Sequence, residues 1–309
     1  MNIFITGANG FIGKHLLDNL IKKTNSNIFV LLKKNKKNLK IKKLFFSKRV
    51  HVIYGNFSEL NKLKMIISKC DLICNLGFPN KLKFKNNLKK KDYLNSLRNL
   101  LSILKKKKNF KLVHISSSEV YGFKKINNKI SYTENSKTLP ENSYAKAKLE
   151  AEKLILKSSA KIIKNTIILR LFNVYGKGQT HKTLINVIIS KLSLNKKQIK
   201  LKNIYDERDY IFLNDVIDAI RSSLLSKNIY GTFNVSTGKT MSVKNIFNAI
   251  KNITSNKKVK LLDSKNLEYS NFSCGNNLKI WKKIGWKPKH SSLKAFKKNI
   301  KKMLIYKNK

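Results

Sequence analysis

Tyr144 and Lys148 are the residues whose types and spacing could carry out proton-transfer chemistry in this chain. Positions i and i+4 share one face of a helix, so the ammonium of Lys148 is expected to lower the pKa of the phenol. A phenol tuned in this way can exchange a proton with an alcohol or carbonyl oxygen. The same spacing also arises by chance in a lysine-rich chain, where it marks only a surface helix.

Three consecutive serines, Ser116, Ser117 and Ser118, follow an apolar segment and precede the tyrosine in the chain. We expect the apolar segment to be a strand and Ser117 to lie near its end. There its hydroxyl could hold the substrate oxygen that Tyr144 protonates. The three residue types together predict a Ser-Tyr-Lys site.

A glycine-rich turn connects the first predicted strand, residues 2–6, to an amphipathic helix. Its glycines are Gly7, Gly10 and Gly13. Glycine lets the backbone turn tightly and approach a pyrophosphate, and the first helical N–H groups, at Phe11 and Ile12, would face that anion. The arrangement predicts a dinucleotide-binding site.

The residues after the second strand bear on the choice of cofactor. An acidic residue there accepts hydrogen bonds from the ribose of NAD, whereas a basic residue accommodates the phosphate of NADP. Lys33 and Lys34 occupy this place and no acid does. We therefore expect NAD(P), with a preference for NADP, although lysine is so frequent here that Lys33 could be incidental.

Apolar runs alternate with helical patterns through the first half of the chain. Continuous apolar runs are typical of strands buried on both faces of a parallel sheet. The predicted strands are 2–6, 28–32, 50–54, 72–76, 112–115 and 166–171, and the predicted helices are 11–22, 60–68, 93–107 and 143–157. The fold class is therefore α/β, a Rossmann doubly wound parallel sheet.

The pattern loosens after about residue 173. Shorter elements follow at 214–225, 232–235 and 243–251. We predict a dinucleotide-binding domain over residues 1–172. A smaller C-terminal α/β substrate-binding lobe is predicted over 173–309, with segments interleaved at the boundary.

The chain of 309 residues carries a net charge of +51, from 62 lysines and only five arginines against 16 acidic residues. Surfaces that read nucleic acid favour arginine, whose planar group makes paired hydrogen bonds. We interpret the charge as lysines on solvated faces and expect no nucleic-acid partner. A polyanion-binding surface is the alternative.

The remaining composition excludes several classes of protein. Three cysteines without a Cys-x-x-Cys pair fit neither a disulfide framework nor a zinc site and predict a reducing, cytoplasmic environment. The five histidines are scattered, so no metal is expected. No apolar stretch approaches the length of a transmembrane helix, and the first strand begins too early for a signal peptide.

Taken together, the motifs resemble those of the extended short-chain dehydrogenase/reductases, in the nucleotide-sugar epimerase/dehydratase group. The matching segments run through nearly the whole chain. They are Thr6-Gly7-x-x-Gly10-Phe11-Ile12-Gly13, residues 115–122, Tyr144-x-x-x-Lys148, residues 169–176, residues 208–212 with Asp215-Val216, residues 233–238 and residues 285–288.

The resemblance implies roles for individual residues. Ser117, Tyr144 and Lys148 would be catalytic, and Tyr144 and Lys148 would also contact the nicotinamide end of the cofactor. Ser118, Asn173 and Arg208 would bind the nucleotide sugar, Arg208 because a guanidinium pairs with phosphate oxygens. For Arg208, an ion pair with Asp206 or Asp209 is the alternative.

Two positions depart from the family pattern. Gly-Asp, usual after the third strand, is Gly55-Asn56, and Ala-Ala, usual after the fourth, is Gly77-Phe78. Asn56 with Phe57, and Leu76 with Gly77, are still expected to line the cofactor.

The reaction stays open between epimerase, dehydratase, decarboxylase and 4-keto-sugar reductase acting by hydride transfer at sugar C4. Glu119 supplies a carboxylate for work beyond hydride transfer, or only a structural hydrogen bond. A homodimer through the helices at 93–107 and 143–157 is common in the family, although the lysines at 105–108 would resist it. The alternative of another class is a non-catalytic dinucleotide- or RNA-binding protein.

Overall fold

A computed structural model gives the fold. It describes residues 1–33, 47–55, 60–78, 87–125, 127, 129–194, 197–254, 258–264 and 270–305. The predicted cofactor residues Asn56 and Phe57 lie outside the described residues, as does Lys34.

A seven-stranded sheet in which every neighbouring pair is parallel forms the centre of the molecule. The strands are β1 Asn2–Thr6, β2 Asn27–Leu32, β3 Val50–Tyr54, β4 Leu72–Asn75, β5 Lys111–Ser117, β7 Thr166–Leu171 and β11 Gly231–Val235. Their spatial order is β11-β7-β5-β4-β1-β2-β3. This sheet confirms the predicted Rossmann-type fold.

Helices cover both faces of this sheet because the strands are apolar on both faces. In chain order, the helices are α1 Phe11–Lys23, α2 Leu60–Ser68, α3 Asn87–Lys106, α4 Ser143–Leu156, α5 Ala160–Ile163, α6 Leu184–Ser193, α7 Leu213–Leu225, α8 Val243–Lys251, α9 Leu278–Ile284 and α10 Leu293–Ile305. Alternate residues of β1 face opposite layers: Ile3 and Ile5 join the core beneath α1 and α7, and Phe4 joins the core beneath α2, α3 and α4.

Smaller sheets and a separate core build the second lobe. β10 pairs with β12, β14 and β8, β14 also pairs with β6, and β9 pairs with β13. These strands are β6 Lys124–Lys125, β8 Asn173–Tyr175, β9 Gln198–Leu201, β10 Glu207–Phe212, β12 Thr240–Ser242, β13 Lys260–Asp263 and β14 Asn271–Ser273. Helices α6, α8 and α10 pack around its core.

Elements from the C-terminal half also contribute to the layers around the large sheet. β11 extends that sheet beside β7, and α7 and α9 pack on the same core as α1. β6 already lies in the second lobe although it precedes β7, so the chain passes between the large sheet and the second lobe more than once. Of the helices in the described residues, none is long and apolar enough to cross a membrane.

Candidate active site

The predicted glycine turn follows β1 at the carboxyl edge of the large sheet. Gly7 has a φ of 71°, a conformation that favours glycine. The Gly10 N–H donates to the Gly7 carbonyl over 2.9 Å, and α1 then begins at Phe11 without a side-chain cap. Backbone N–H groups at Phe11, Ile12 and Gly13 therefore open the helix, as an anion site requires.

β1 and β4 meet closely behind this turn. A Cβ added to Gly7 would lie 2.9 Å from the Leu76 carbonyl carbon and from the Gly77 nitrogen. The Thr6 hydroxyl donates to Asn75 over 2.7 Å and accepts the Gly77 N–H over 2.9 Å. Because the Gly77 N–H bonds to the Thr6 side chain, it does not pair with a neighbouring strand. The strand β4 ends at Asn75 and not at 76 as predicted. The cradle of glycines fits a dinucleotide pyrophosphate.

Lys33 lies directly after β2, and β2 is the neighbour of β1 in the sheet. Its side chain is exposed. A basic residue at this end of β2 fits the predicted contact with an adenosine 2′-phosphate.

Tyr144 and Ser117 come together where β5 ends and α4 begins. Asn142 caps α4 by accepting the Ala145 N–H over 2.9 Å, which places Tyr144 in the first helical turn. Ser117 is the last residue of β5, and its hydroxyl hydrogen-bonds with the Tyr144 phenol. The structure thus brings together two of the three residues predicted to act on the substrate.

The pKa of Tyr144 differs from the sequence-based expectation. Burial raises it above the ordinary value, the negative charge of Glu119 raises it further, and the hydrogen bond with Ser117 lowers it. The expectation of a net lowering of the Tyr144 pKa was therefore wrong, because desolvation of the phenolate dominates. The phenol is protonated at neutral pH.

Lys148 lies one helical turn after Tyr144 and is only 4% exposed. Its ammonium donates to the Ile115 carbonyl over 2.7 Å and lies 6.0 Å from the centre of the Tyr144 ring. Burial lowers the pKa of Lys148 to about 7, while the charge of Glu152 opposes that change. The pKa of Lys148 therefore lies close to neutral pH.

A buried ion pair that the sequence interpretation missed lies beneath the site. Arg170 on β7 donates to Glu152 on α4 over 2.6 Å, with the two side chains 7% and 1% exposed. Ser116 also donates to Glu152, and Arg170 donates to Tyr121 over 2.9 Å. The one available signal was spacing, since Glu152 follows Lys148 by one turn on the same face of the helix.

A second missed cluster links β4, β5 and α3. The Asn75 amide lies 3.1 Å from one ring nitrogen of His114, and the Tyr93 hydroxyl lies 3.3 Å from the other. Burial, with the nearby charge of Lys148, lowers the pKa of His114 to about 3. His114 is therefore neutral and serves as a hydrogen-bonding link under the sheet edge.

Glu119 and Ser118 begin a short 3₁₀ helix, Ser118–Tyr121, directly after β5. Ser117 accepts the Glu119 N–H over 3.2 Å, and the Asn142 amide donates to the Glu119 carboxylate over 2.9 Å. Glu119 is thus held at the start of α4, close enough to influence Tyr144. Ser118 is 6% exposed.

The two remaining predicted substrate residues lie on neighbouring strands of the second lobe. Asn173 on β8 donates to the Asp209 carbonyl over 3.0 Å. Arg208 on β10 pairs with Asp206 over 2.9 Å, and its guanidinium lies 4.0 Å from the centre of the Phe123 ring. The ion pair named as the alternative for Arg208 is therefore present with Asp206.

A cavity of about 480 Å³ lies in the second lobe between β10, β12, α8 and α10. Its lining includes Tyr210, Thr237, Lys239 and His290, and none of the residues predicted to be catalytic. Within the described part of the chain, no group of three or more His, Cys, Asp or Glu side chains could hold a metal ion.

Comparison with known proteins assigns the family. The sequence profile of the NAD dependent epimerase/dehydratase family matches residues 3–236. The chain belongs to this family. The match runs from β1 through β11 and includes both the glycine turn and the Tyr144–Lys148 helix, so the family resemblance predicted from the motifs is confirmed.

One protein similar to this chain is a dehydratase. A dTDP-D-glucose 4,6-dehydratase of Dictyostelium discoideum is 31% identical over 278 residues, covering 82% of this chain and 62% of that protein. The chain therefore matches less than two thirds of that relative's length.

Two solved structures share the fold. UDP-glucuronic acid 4-epimerase from Bacillus cereus, in complex with UDP-glucuronic acid and NAD, has a TM-score of 0.81 and 24% identity, covering 99% of each chain. RMD from Pseudomonas aeruginosa, complexed with NADPH, has a TM-score of 0.78 and 20% identity, covering 99% of each chain. The epimerase structure contains NAD, and the RMD structure contains NADPH.

Proposed function

We propose that this protein is an NAD(P)-dependent enzyme of nucleotide-sugar metabolism that oxidises or reduces its substrate at sugar C4. The observation that carries the proposal is the hydrogen bond between Ser117 and Tyr144 at the end of β5, at the same sheet edge as the glycine turn, with the Lys148 ammonium 6.0 Å from the Tyr144 ring centre. A binding module would need no such arrangement. Family membership over residues 3–236 supports the same conclusion.

Tyr144 exchanges the proton of the C4 oxygen in this proposal. A bound nicotinamide would supply or accept the hydride. The Ser117 hydroxyl, already hydrogen-bonded to the phenol, would hold the same oxygen. Because burial keeps the phenol protonated, it is ready to donate a proton to a carbonyl oxygen. Return of a hydride to a 4-keto sugar and reduction of a 4-keto substrate both require that donation.

The charge of Lys148 matters most when Tyr144 must take a proton. A nearby ammonium favours the phenolate, so oxidation of an alcohol at C4 would be helped by protonated Lys148. The same ammonium could hydrogen-bond the nicotinamide ribose. It lies 6.0 Å from the Tyr144 ring centre and donates to the Ile115 carbonyl, on the same side of α4 as Tyr144.

Glu119 leaves the subclass of reaction open. Its carboxylate could remove a further proton, as a dehydratase or decarboxylase requires. Its hydrogen bond from Asn142 and its place at the start of the 3₁₀ helix equally support a structural role. A 4-epimerase would need only Ser117, Tyr144 and Lys148 for its reaction.

Arg208, Asn173 and Ser118 are proposed to bind the nucleotide sugar. The face of the Arg208 guanidinium lies against Phe123, and one edge pairs with Asp206. A diphosphate would accept paired hydrogen bonds from the guanidinium, either in place of the Asp206 carboxylate or beside it. Asn173, on the strand beside β10, would contact the same group.

NADP is the cofactor we favour, because Lys33 follows β2 on the strand adjacent to β1. A bound NAD would make this lysine incidental. Oligomeric assembly is proposed as a homodimer through α3 and α4, with the terminal lysines of α3 opposing it. Free thiols at Cys70, Cys74 and Cys274 support a reducing, cytoplasmic environment.

The test begins with the cofactor. Freshly purified protein is denatured, and the released dinucleotide is identified by mass spectrometry. Stoichiometric NAD or NADH favours an epimerase or dehydratase, which returns its hydride. NADP(H), or little retained cofactor, favours a 4-keto-sugar reductase and directs the next assay to NADPH oxidation.

Turnover of a panel of nucleotide sugars is then measured for the wild type, Tyr144→Phe and Tyr230→Phe. Tyr230 is half-exposed and directly precedes β11, at the opposite edge of the sheet from Ser117, so it serves as the matched control. Loss of turnover confined to Tyr144→Phe, with dinucleotide binding kept, supports the enzyme. Absence of wild-type turnover on every sugar, with RNA or dinucleotide binding alone, favours the non-catalytic alternative.

A further inference from the structure

Phe78 occupies a position at which the resemblance to the family predicts alanine. It lies three residues beyond the end of β4 and directly follows the Leu76–Gly77 segment that approaches Gly7. Its ring meets the Tyr93 ring edge-on with centres 4.2 Å apart, and meets the Tyr144 ring edge-on with centres 5.0 Å apart. An alanine could make neither contact.

The same ring covers the ammonium of Lys148. The Lys148 nitrogen lies 4.1 Å from the centre of the Phe78 ring, nearer than the 5.5 Å to Tyr93 or the 6.0 Å to Tyr144. A cation within about 6 Å of a ring face is attracted by the ring quadrupole, more strongly when it is removed from water. Lys148 is removed from water, so Phe78 partly replaces the hydration that it lost.

We propose that Phe78 is a positioning residue that keeps Lys148 charged and holds it beside Tyr144. This inference rests on the proposed function, since it concerns the same Tyr144–Lys148 pair. The ring acts on two partners at once: its face stabilises the ammonium, and its edge contact with Tyr144 limits where the phenol can move.

Other ionisable groups around Lys148 also influence whether it is charged. Tyr144 and Glu152 share α4 with it, Tyr93 faces it from α3, and His114 faces it from β5. Glu152 favours the charged lysine, whereas burial opposes it. His114 is neutral above a pH of about 3, so it does not change charge over the range in which Lys148 titrates.

Removing the ring face should therefore lower the pH at which Lys148 loses its proton. Cation–π attraction at a desolvated site corresponds to a shift of about one pH unit. The experiment compares Phe78→Leu, which keeps an apolar side chain without a π face, with Phe78→Tyr, which keeps the face. Phe29→Leu is the matched control, because Phe29 contacts His51 on β3 and not Lys148.

The readouts are the pH profiles of kcat and KM for the active nucleotide sugar, and the titration of Lys148 by NMR of lysine carbon-13. Comparison with Lys148→Met identifies the resonance. We expect Phe78→Leu to move the Lys148 titration and the high-pH limb of kcat down by about one unit, with KM less affected. Phe78→Tyr and Phe29→Leu should leave both where they are in the wild type.

Equal titration of Lys148 in the wild type and Phe78→Leu would overturn the inference, as would lower thermal stability without any shift in the pH profile. The NMR titration does not depend on turnover. If no nucleotide sugar is a substrate, the proposed function fails, whereas a shifted Lys148 titration would still support the role of Phe78 toward that lysine.

Discussion

Gly13 lies so close to Gly7 that a Cβ at position 13 would sit 2.2 Å from the Gly7 carbonyl oxygen. The first turn of α1 therefore packs directly on the loop that ends β1. This contact fixes where the helical N–H groups point, and any anion bound there depends on it.

Gly13→Ala is expected to destabilise the fold and to weaken dinucleotide binding. The nearest atom is backbone, so the turn must shift, at a cost of about 1–3 kcal/mol or more. Gly10→Ala is the matched variant, since its Cβ would lie 3.1 Å from the same oxygen and its φ is −75°. Denaturant unfolding and a dinucleotide titration check this. Equal losses in the two variants would contradict the steric account.

Breaking the Glu152–Arg170 pair is expected to be costly. Arg170→Met leaves a carboxylate buried with Ser116 as its remaining named donor, which should lower the free energy of unfolding by about 3–5 kcal/mol. The double variant Arg170→Met with Glu152→Gln should recover part of that loss, because no buried charge is left unpaired. Chemical denaturation measures both.

The partly exposed pair Arg221–Asp218 provides the control for that experiment. Its side chains are 28% and 29% exposed, and Arg221→Met should cost at most about 1 kcal/mol. A loss at Arg221 as large as the loss at Arg170 would show that burial does not set the cost.

The neutral state of buried His114 predicts a loss of stability in acid. Its pKa is about 3 in the folded protein against an ordinary 6.5, so between these values the unfolded chain binds a proton that the folded chain does not. Stability therefore falls as pH falls below 6.5, by about 2 kcal/mol at pH 5 for this one group. Unfolding at pH 7 and pH 5 measures it.

His114→Gln should make the pH dependence shallower by that amount, and His181→Gln, at an exposed histidine, is the control. An unchanged pH dependence in His114→Gln would show that His114 is not the group responsible.

Arg208→Lys is expected to raise KM for the nucleotide sugar about tenfold and to change kcat less. A lysine ammonium cannot make paired hydrogen bonds with a diphosphate and does not stack on Phe123 as a guanidinium does. Steady-state kinetics check the effect, with Arg221→Lys as the control. A fall in kcat at unchanged KM would contradict a role in binding.

Local patterns in the sequence were enough for much of the fold. The apolar runs that became β1, β3 and β7 match the predicted bounds, as does helix α2. β5 continues to Ser117, beyond the predicted end at 115, and α3 begins at Asn87, before the predicted start at 93. The apolar pattern does not reveal such extensions, because the backbone of polar residues at the end of an element can form the hydrogen bonds of that strand or helix as well.

Non-local contacts decided what the patterns could not. The assignment of β11 to the large sheet depends on pairing with β7, more than sixty residues earlier in the chain. Phe78 was recognised only as a departure from alanine, since its contact with Lys148 joins the end of β4 to the middle of α4. The direction of the Tyr144 pKa depended on how deeply tertiary packing buries the phenol.

The sequence by itself determined the family and the glycine turn, and it predicted the set of Ser117, Tyr144 and Lys148, because each depends on residue type and position along the chain. Only the tertiary structure decided which charges meet: Arg170 with Glu152, Arg208 with Asp206, and Lys148 with the Phe78 ring. The physical reason is that pKa values and charge pairing follow burial and distance in space, which a linear sequence does not contain.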